Sequence, residues 1–173
     1  GLDTMIGALW MILGCTGVSP VDSVPVVDPG AAVDHCAVED PSSGEPVGEA
    51  SCSGGVCEVP AGPFVMGAAN PLFQNQCPPR VVQLSAFAID ETEVTRGQYA
   101  TCVSTGTCEA LPYCESRSGD ISDHEQLPVV CLTHTQAENF CSWVDGRLPT
   151  EAEWEKAARG EQGAVWAWGS HPP

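Results

Sequence analysis

"GRLPTEAEWEKAARG", Gly146 to Gly160, reads as a short helix with both ends written into its residues. Thr150 is a natural N-cap, and Glu153 three residues on completes a Thr-x-x-Glu capping box, in which each side chain satisfies an N–H that the first turn leaves orphaned. Arg147, Leu148 and Pro149 lead in, and Pro149 fixes the backbone just before the cap. Glu151, Glu153 and Glu155 load the first turns and Lys156 and Arg159 the last, which suits the helix dipole at both ends. Gly160 supplies the left-handed residue that stops the helix. Trp154, Ala157 and Ala158 fall at i, i+3 and i+4, so the pattern predicts that this is the buried face.

Two similar helices are expected upstream. Thr133 with Gln136 starts one, and Ala137, Phe140, Cys141 and Val144 form its apolar stripe until Asp145-Gly146 ends it. Thr95 with Gln98 starts the other, with Tyr99, Cys102 and Val103 inward and Gly106 as the stop. Short strands are predicted at Val59 to Met66, in two pieces over Arg80 to Asp90, and at Val129 to Leu132. Residues 107–126 read as an irregular polar loop. The three helices share capping chemistry but no constant spacing, so there is no internal repeat.

The front of the chain has a different character. Met5 to Gly14, "MIGALWMILG", is an apolar run of ten that ends directly at Cys15. It is too short to span a bilayer and suits the core of an export signal. "ILGC" is a loose bacterial lipobox, which makes Cys15 the expected lipidation site and residues 1–15 an export segment. The alternative is a buried N-terminal segment. Residues 16–50 are rich in Pro, Gly and acids, without helical period, and read as a linker. The folded part is expected over residues 51–173.

Net charge is −17, from 23 acidic and 6 basic residues, and the first basic residue is Arg80. Such a chain repels nucleic acid and anionic headgroups, which excludes polyanion binding; membrane contact is expected only through a lipid anchor. Ten cysteines point to an oxidising compartment, and no C-x₂-C pair suggests zinc. Bridges are expected locally, across the Ser-Gly-Gly turn from Cys52 to Cys57, from Cys102 to Cys108, and from Cys131 to Cys141, with Cys114 competing for Cys131. Lipidation at Cys15 leaves nine cysteines, so one unpaired thiol is expected, at Cys141, Cys77 or Cys36.

The remaining chemistry-bearing residues have bland readings that outweigh the sharp ones. His35, His124, His134 and His171 are scattered, none is expected to sit at i, i+4 with another ligand, and they read as solvated. Glu151, Glu153 and Glu155 resemble a general-acid cluster, but capping and the dipole account for them. Trp154, Trp166 and Trp168 are expected in the core rather than along a peptide groove.

"GRLPTEAEWEKAARG" followed by "WAWG" resembles the signature of the formylglycine-generating enzyme (sulfatase-modifying factor) family. "EVPAGPFVMG" and "FAIDETEVTRGQYATCV" are similar to two further phrases of that family, so the resemblance runs from about Val59 to Gly169. It implies an irregular α+β fold related to C-type lectin-like domains, with short strands and short capped helices. It also implies an oxidase that converts a sulfatase cysteine to formylglycine, using a copper ion held by two cysteines, beside structural calcium. Those metal ligands lie in the family domain beyond the "WAWG" phrase, so no catalytic, cofactor or metal residue is matched in this chain. The expectation is therefore the front part of such a domain, incomplete at its C-terminus, with a sulfatase or another polypeptide or glycan as partner. The other reading is a non-catalytic lectin-like module that binds glycan or peptide.

Overall fold

The computed structural model describes residues 15–17, 48–68, 76–111, 124–164, 166, 167 and 169. In chain order the elements are β1 (Thr16–Gly17), β2 (Ser51–Ser53), β3 (Val56–Val59), β4 (Gly62–Met66), β5 (Arg80–Leu84), β6 (Phe87–Asp90), α1 (Arg96–Ser104), α2 (His134–Trp143), β7 (Gly146–Arg147) and α3 (Glu151–Arg159). The mixture of short helices and small antiparallel sheets is the α+β class expected. Five strands pair in the order β2-β3-β6-β1-β7, and β4 pairs with β5 in a separate ribbon. The chain divides into two compact units, one of residues 1–18, 53–57 and 89–148, the other of residues 19–52, 58–88 and 149–173.

The first unit is built on α1 and α2. Thr95 and Thr133 each close a capping box, with Gln98 and Gln136 returning the bond to the cap N–H. Two further N–H groups at the start of α1 are satisfied from outside the helix, where Arg96 N–H donates to Leu127 O and Gly97 N–H to Glu125 O, both at 2.9 Å. Tyr99, Cys102, Ala137, Phe140 and Cys141 point into one core with Val94, Leu111 and Val129. The Tyr99 and Phe140 rings stack with centroids 5.8 Å apart. Burial pushes the Tyr99 phenol above its ordinary pKa, the nearby Glu109 adds to the effect, and the hydroxyl donates to Glu109 O at 3.0 Å.

Two expectations fail here for visible reasons. Residues 129–132 form no strand, because Cys131 has a φ of 66° that breaks the extended run. Val130 and Leu132 nevertheless pack against the core. Val144 is exposed and not part of the α2 stripe; it is the C-cap, with the backbone turning over at Asp145, φ 58°.

The cysteines pair differently from the local scheme. Cys102 bonds Cys108 as expected, but Cys141 bonds Cys15 across 126 residues, not Cys131. The reason is topological. β1 lies between β6 and β7, with Thr16 opposite both Ile89 and Arg147, which sets Cys15 beside α2. A sulfur in a disulfide holds no thioether, so the Cys15–Cys141 bond and a lipid on Cys15 are mutually exclusive. Cys52, Cys57, Cys77 and Cys131 are disulfide-bonded too, and among the described residues no cysteine is free. The unpaired thiol expected at Cys141 or Cys77 is therefore not found there. Cys36 and Cys114 lie outside the described residues, as do the apolar run before Cys15 and most of the linker. No helix among the described residues is long and apolar enough to cross a membrane.

In the second unit, β4 and β5 pair antiparallel from Gly62 opposite Leu84 to Met66 opposite Arg80. Phe64, Val65 and Met66 are buried on this ribbon, together with Val59 and Phe87. Helix α3 starts at Thr150 with its capping box closed by Glu153 and ends at Gly160, φ 71°. Thr150→Ala is expected to destabilise the protein by about 1 kcal/mol, within the usual range for a threonine cap. Urea unfolding checks this, and an unchanged midpoint would show that the box holds nothing.

Candidate functional site

The signature helix buries its charges and exposes its tryptophan. Within the second unit, Glu153 is 7 % and Lys156 2 % exposed, while Trp154 is 42 % exposed. Ala157 is exposed as well, and Ala158 is half-buried. The expected buried face of Trp154, Ala157 and Ala158 is thus reversed. Period 3.6 was read correctly, but the inward side is the one carrying Lys156 and Arg159 at i, i+3.

Backbone oxygens explain the reversal. Lys156 lays its apolar stem inside and donates from Nζ to Pro60 O at 2.8 Å and to Gly62 O at 3.1 Å. These carbonyls flank the start of β4, where a buried acceptor without a donor is unfavourable. Burial lowers the pKa of this ammonium, and Glu161 opposes the shift. One turn on, Arg159 uses its whole fork: Nε donates to Ala164 O at 2.7 Å, one terminal nitrogen to Gly163 O at 2.8 Å, and the other to Gly67 O at 3.1 Å. That last nitrogen also meets Glu155 Oε1, which accepts the Gly67 N–H at 2.7 Å. Glu155 and Arg159 therefore grip both polar groups of Gly67, the residue that follows β4.

Two glycines let the backbone come this close. Gly67 has a φ of 86°, and a Cβ there would lie 2.5 Å from Gln76 O. Gly163 has a φ of 62°, and its Cβ would lie 2.7 Å from Val65 O. Val65 N–H donates to Glu161 O at 3.0 Å, so the turn after α3 is tied to the same strand. Three of the six basic residues of the chain, Arg147, Lys156 and Arg159, stand in the signature. Arg147 donates to Leu148 O at 3.0 Å, in the first unit.

The arrangement clamps α3 onto β4 and the turns beside it. Glu153 Oε2 accepts from Thr150 N–H at 2.8 Å and lies 3.0 Å from Thr150 Oγ1, and Glu155 is paired with Arg159. Glu151 lies exposed in the first turn, where it suits the dipole. Sequence reasoning missed Pro60, Gly62, Gly67 and Gly163 as the receiving backbone; the only local signal was the glycine spacing in "EVPAGPFVMG" and "GEQGA". It also missed that His134 has a carboxylate four residues on. His134 Nδ1 lies 3.2 Å from Glu138 in an exposed pair. His124 is exposed, while His35, His171 and Trp168 lie outside the described residues, and Trp166 is half-buried.

The described cysteines do not fit a copper ion held by two thiolates. A copper site of two cysteines needs two thiolates, and every described cysteine is in a disulfide. No group of three or more His, Cys, Asp or Glu among the described residues is placed to hold a metal ion.

The chain is 28% identical over 163 residues to the formylglycine-generating enzyme of Mycobacterium tuberculosis, covering 65% of this chain and 54% of that protein. It is 27% identical over 161 residues to the hercynine oxygenase of Mycolicibacterium smegmatis, covering 74% and 38%. Over a shorter stretch of 51 residues it is 47% identical to the inactive C-alpha-formylglycine-generating enzyme 2 of Mus musculus, covering 29% and 17%. The chain spans about half the length of the formylglycine-generating enzymes it matches. The profile of the sulfatase-modifying factor enzyme 1-like domain matches residues 45–172, a span that contains the whole clamp, and the chain belongs to that family.

Proposed function

We propose that this chain is the scaffold portion of an exported formylglycine-generating oxidase, whose complete domain, with copper, converts a sulfatase cysteine to formylglycine. The observation that carries this reading is the family match over residues 45–172, with the signature helix folded as a charged clamp on β4. Disulfides at all eight described cysteines support export, since thiols of this kind stay reduced in the cytosol. The role of the chain is positional: it fixes a capped helix, a β-ribbon and a disulfide-tied core on which a reactive half can be mounted. A lectin-like ancestry of the fold belongs to the same proposal. The acidic charge of −17 fits a polypeptide partner better than a polyanion.

A second reading has one observation in its favour. The mouse relative with 47% identity over 51 residues is named inactive, so the family's scaffold occurs without the activity. In that case the protein binds a glycan or a peptide from a sulfatase-like partner and does no chemistry.

Aldehyde formation on a Cys-x-Pro-x-Arg peptide, read by mass after trapping with a hydroxylamine, separates the two. The 173-residue chain alone is expected to give none, and the copper-loaded product of the whole gene to give aldehyde. Aldehyde from the 173-residue chain would overturn the scaffold role. None from the copper-loaded whole product would favour the binding module.

A further inference from the structure

We infer that Cys15 is the first residue of the processed protein, unacylated, with its new α-ammonium held by the Asp90 carboxylate. The inference rests on the export reading above.

The apolar run Met5 to Gly14 ends at the residue before Cys15, and the β1 ladder begins directly after it, with Thr16 opposite Ile89. Cys15 itself is not paired to a backbone carbonyl across the ladder. Its nitrogen donates to Asp90 Oδ2 at 2.9 Å, a distance that serves an amide N–H and an ammonium equally well. The Cys15 nitrogen sits in a part-buried hydrogen bond, and Asp90 on β6 sets a carboxylate against it as the counter-charge an ammonium there would use. The thiol is already committed, since Cys15 is bonded to Cys141, itself 0 % exposed. The residue that the lipobox reading marks for a diacylglyceryl thioether is therefore locked at both functional atoms, nitrogen by Asp90 and sulfur by Cys141. Three connections hold the two-residue strand β1: the ladder, the carboxylate and the disulfide.

The covalent step is hydrolysis of the Gly14–Cys15 peptide bond by water, under an endopeptidase of the export route. Gly14 leaves with the new carboxylate, and Cys15 keeps the nitrogen as an ammonium. Processing turns a neutral amide-to-carboxylate hydrogen bond into an ion pair, so the cleaved form gains an interaction that the uncleaved form lacks.

Two measurements test this. N-terminal sequencing, intact mass and a non-reduced peptide map of the exported protein are expected to show Cys15 first, without diacylglycerol, and linked to Cys141. Urea unfolding is then compared for wild type and Asp90→Asn in the cleaved and the full 173-residue forms. Asparagine keeps an acceptor oxygen, so the variant retains the hydrogen bond and loses only the charge. The midpoint is expected to fall clearly in the cleaved form and little in the uncleaved form. A different first residue, an acylated Cys15, or equal Asp90→Asn effects in the two forms would overturn the inference. Retention of the protein inside the cell with reduced cysteines would instead sink the export reading. The Asp90→Asn comparison, made on protein cleaved in vitro and oxidised, still decides the ion pair.

Discussion

Arg159→Ala is expected to destabilise the protein by about 3 kcal/mol, a large part of the roughly 5–15 kcal/mol that holds a domain together. The variant removes donors to Ala164 O, Gly163 O and Gly67 O, and strips Glu155 of its counter-charge. The Glu155 and Arg159 side chains keep 15% and 18% of their exposure, so water can replace part of the loss, which places the estimate at the low end for a buried pair. Arg159→Lys keeps the charge but not the fork, and should lose most of the same stability because one ammonium cannot reach three carbonyls and a carboxylate at once. Urea melts measure both. A shift below about 0.5 kcal/mol for the alanine variant would place Arg159 among ordinary surface residues.

The double variant Cys15→Ser with Cys141→Ser is expected to produce the other large effect. In the chain-entropy treatment, closing a loop of 126 residues is worth about 4–5 kcal/mol, and about 2–4 kcal/mol is usual for a disulfide. The other bridges shorten the effective loop in the unfolded chain, so about 4 kcal/mol, the lower end of the chain-entropy figure, is expected. Removing Cys102–Cys108, which closes only 6 residues, should lose about 2 kcal/mol. Equal effects of the two removals in melts under non-reducing conditions would contradict the role of the long bridge in holding β1.

The helix boundaries were legible because capping is local. Thr95, Thr133 and Thr150 each find their partner three residues on, so the pattern and the bond are the same object. β5 and β6 were legible from alternation over Arg80 to Asp90. What failed depended on residues far apart in the chain. The inward face of α3 is decided by carbonyls 92 to 96 positions away, which hydrophobic periodicity does not see. A helix of Trp, Ala, Lys and Arg has two stripes, and hydrophobicity alone chose the wrong one. The Cys15–Cys141 bond likewise joins an apparent leader to α2 and cannot be found from local spacing. Cys131 looked like a strand residue, but its positive φ is a property of the turn it occupies.

The candidate site shows the same division. Glu153, Glu155, Lys156 and Arg159 were all singled out as helix-end charges, and that assignment holds for Glu153 as a capping residue. The further roles of Glu155, Lys156 and Arg159 need the backbone of Pro60, Gly62, Gly67 and Gly163 beside them. In this chain the signature stretch fastens a helix to a strand.

The most direct test of that claim compares Trp154→Ala with Lys156→Met in urea unfolding. Methionine fills the lysine channel but leaves Pro60 O and Gly62 O without their donor, and this is expected to lower stability by about 2–3 kcal/mol. Trp154, 42 % exposed, is expected to lose about 1 kcal/mol or less. The account predicts that the lysine variant is clearly the weaker of the two. A tryptophan variant that loses about 3–5 kcal/mol, as a core ring would, beside a near-neutral lysine variant, would contradict it.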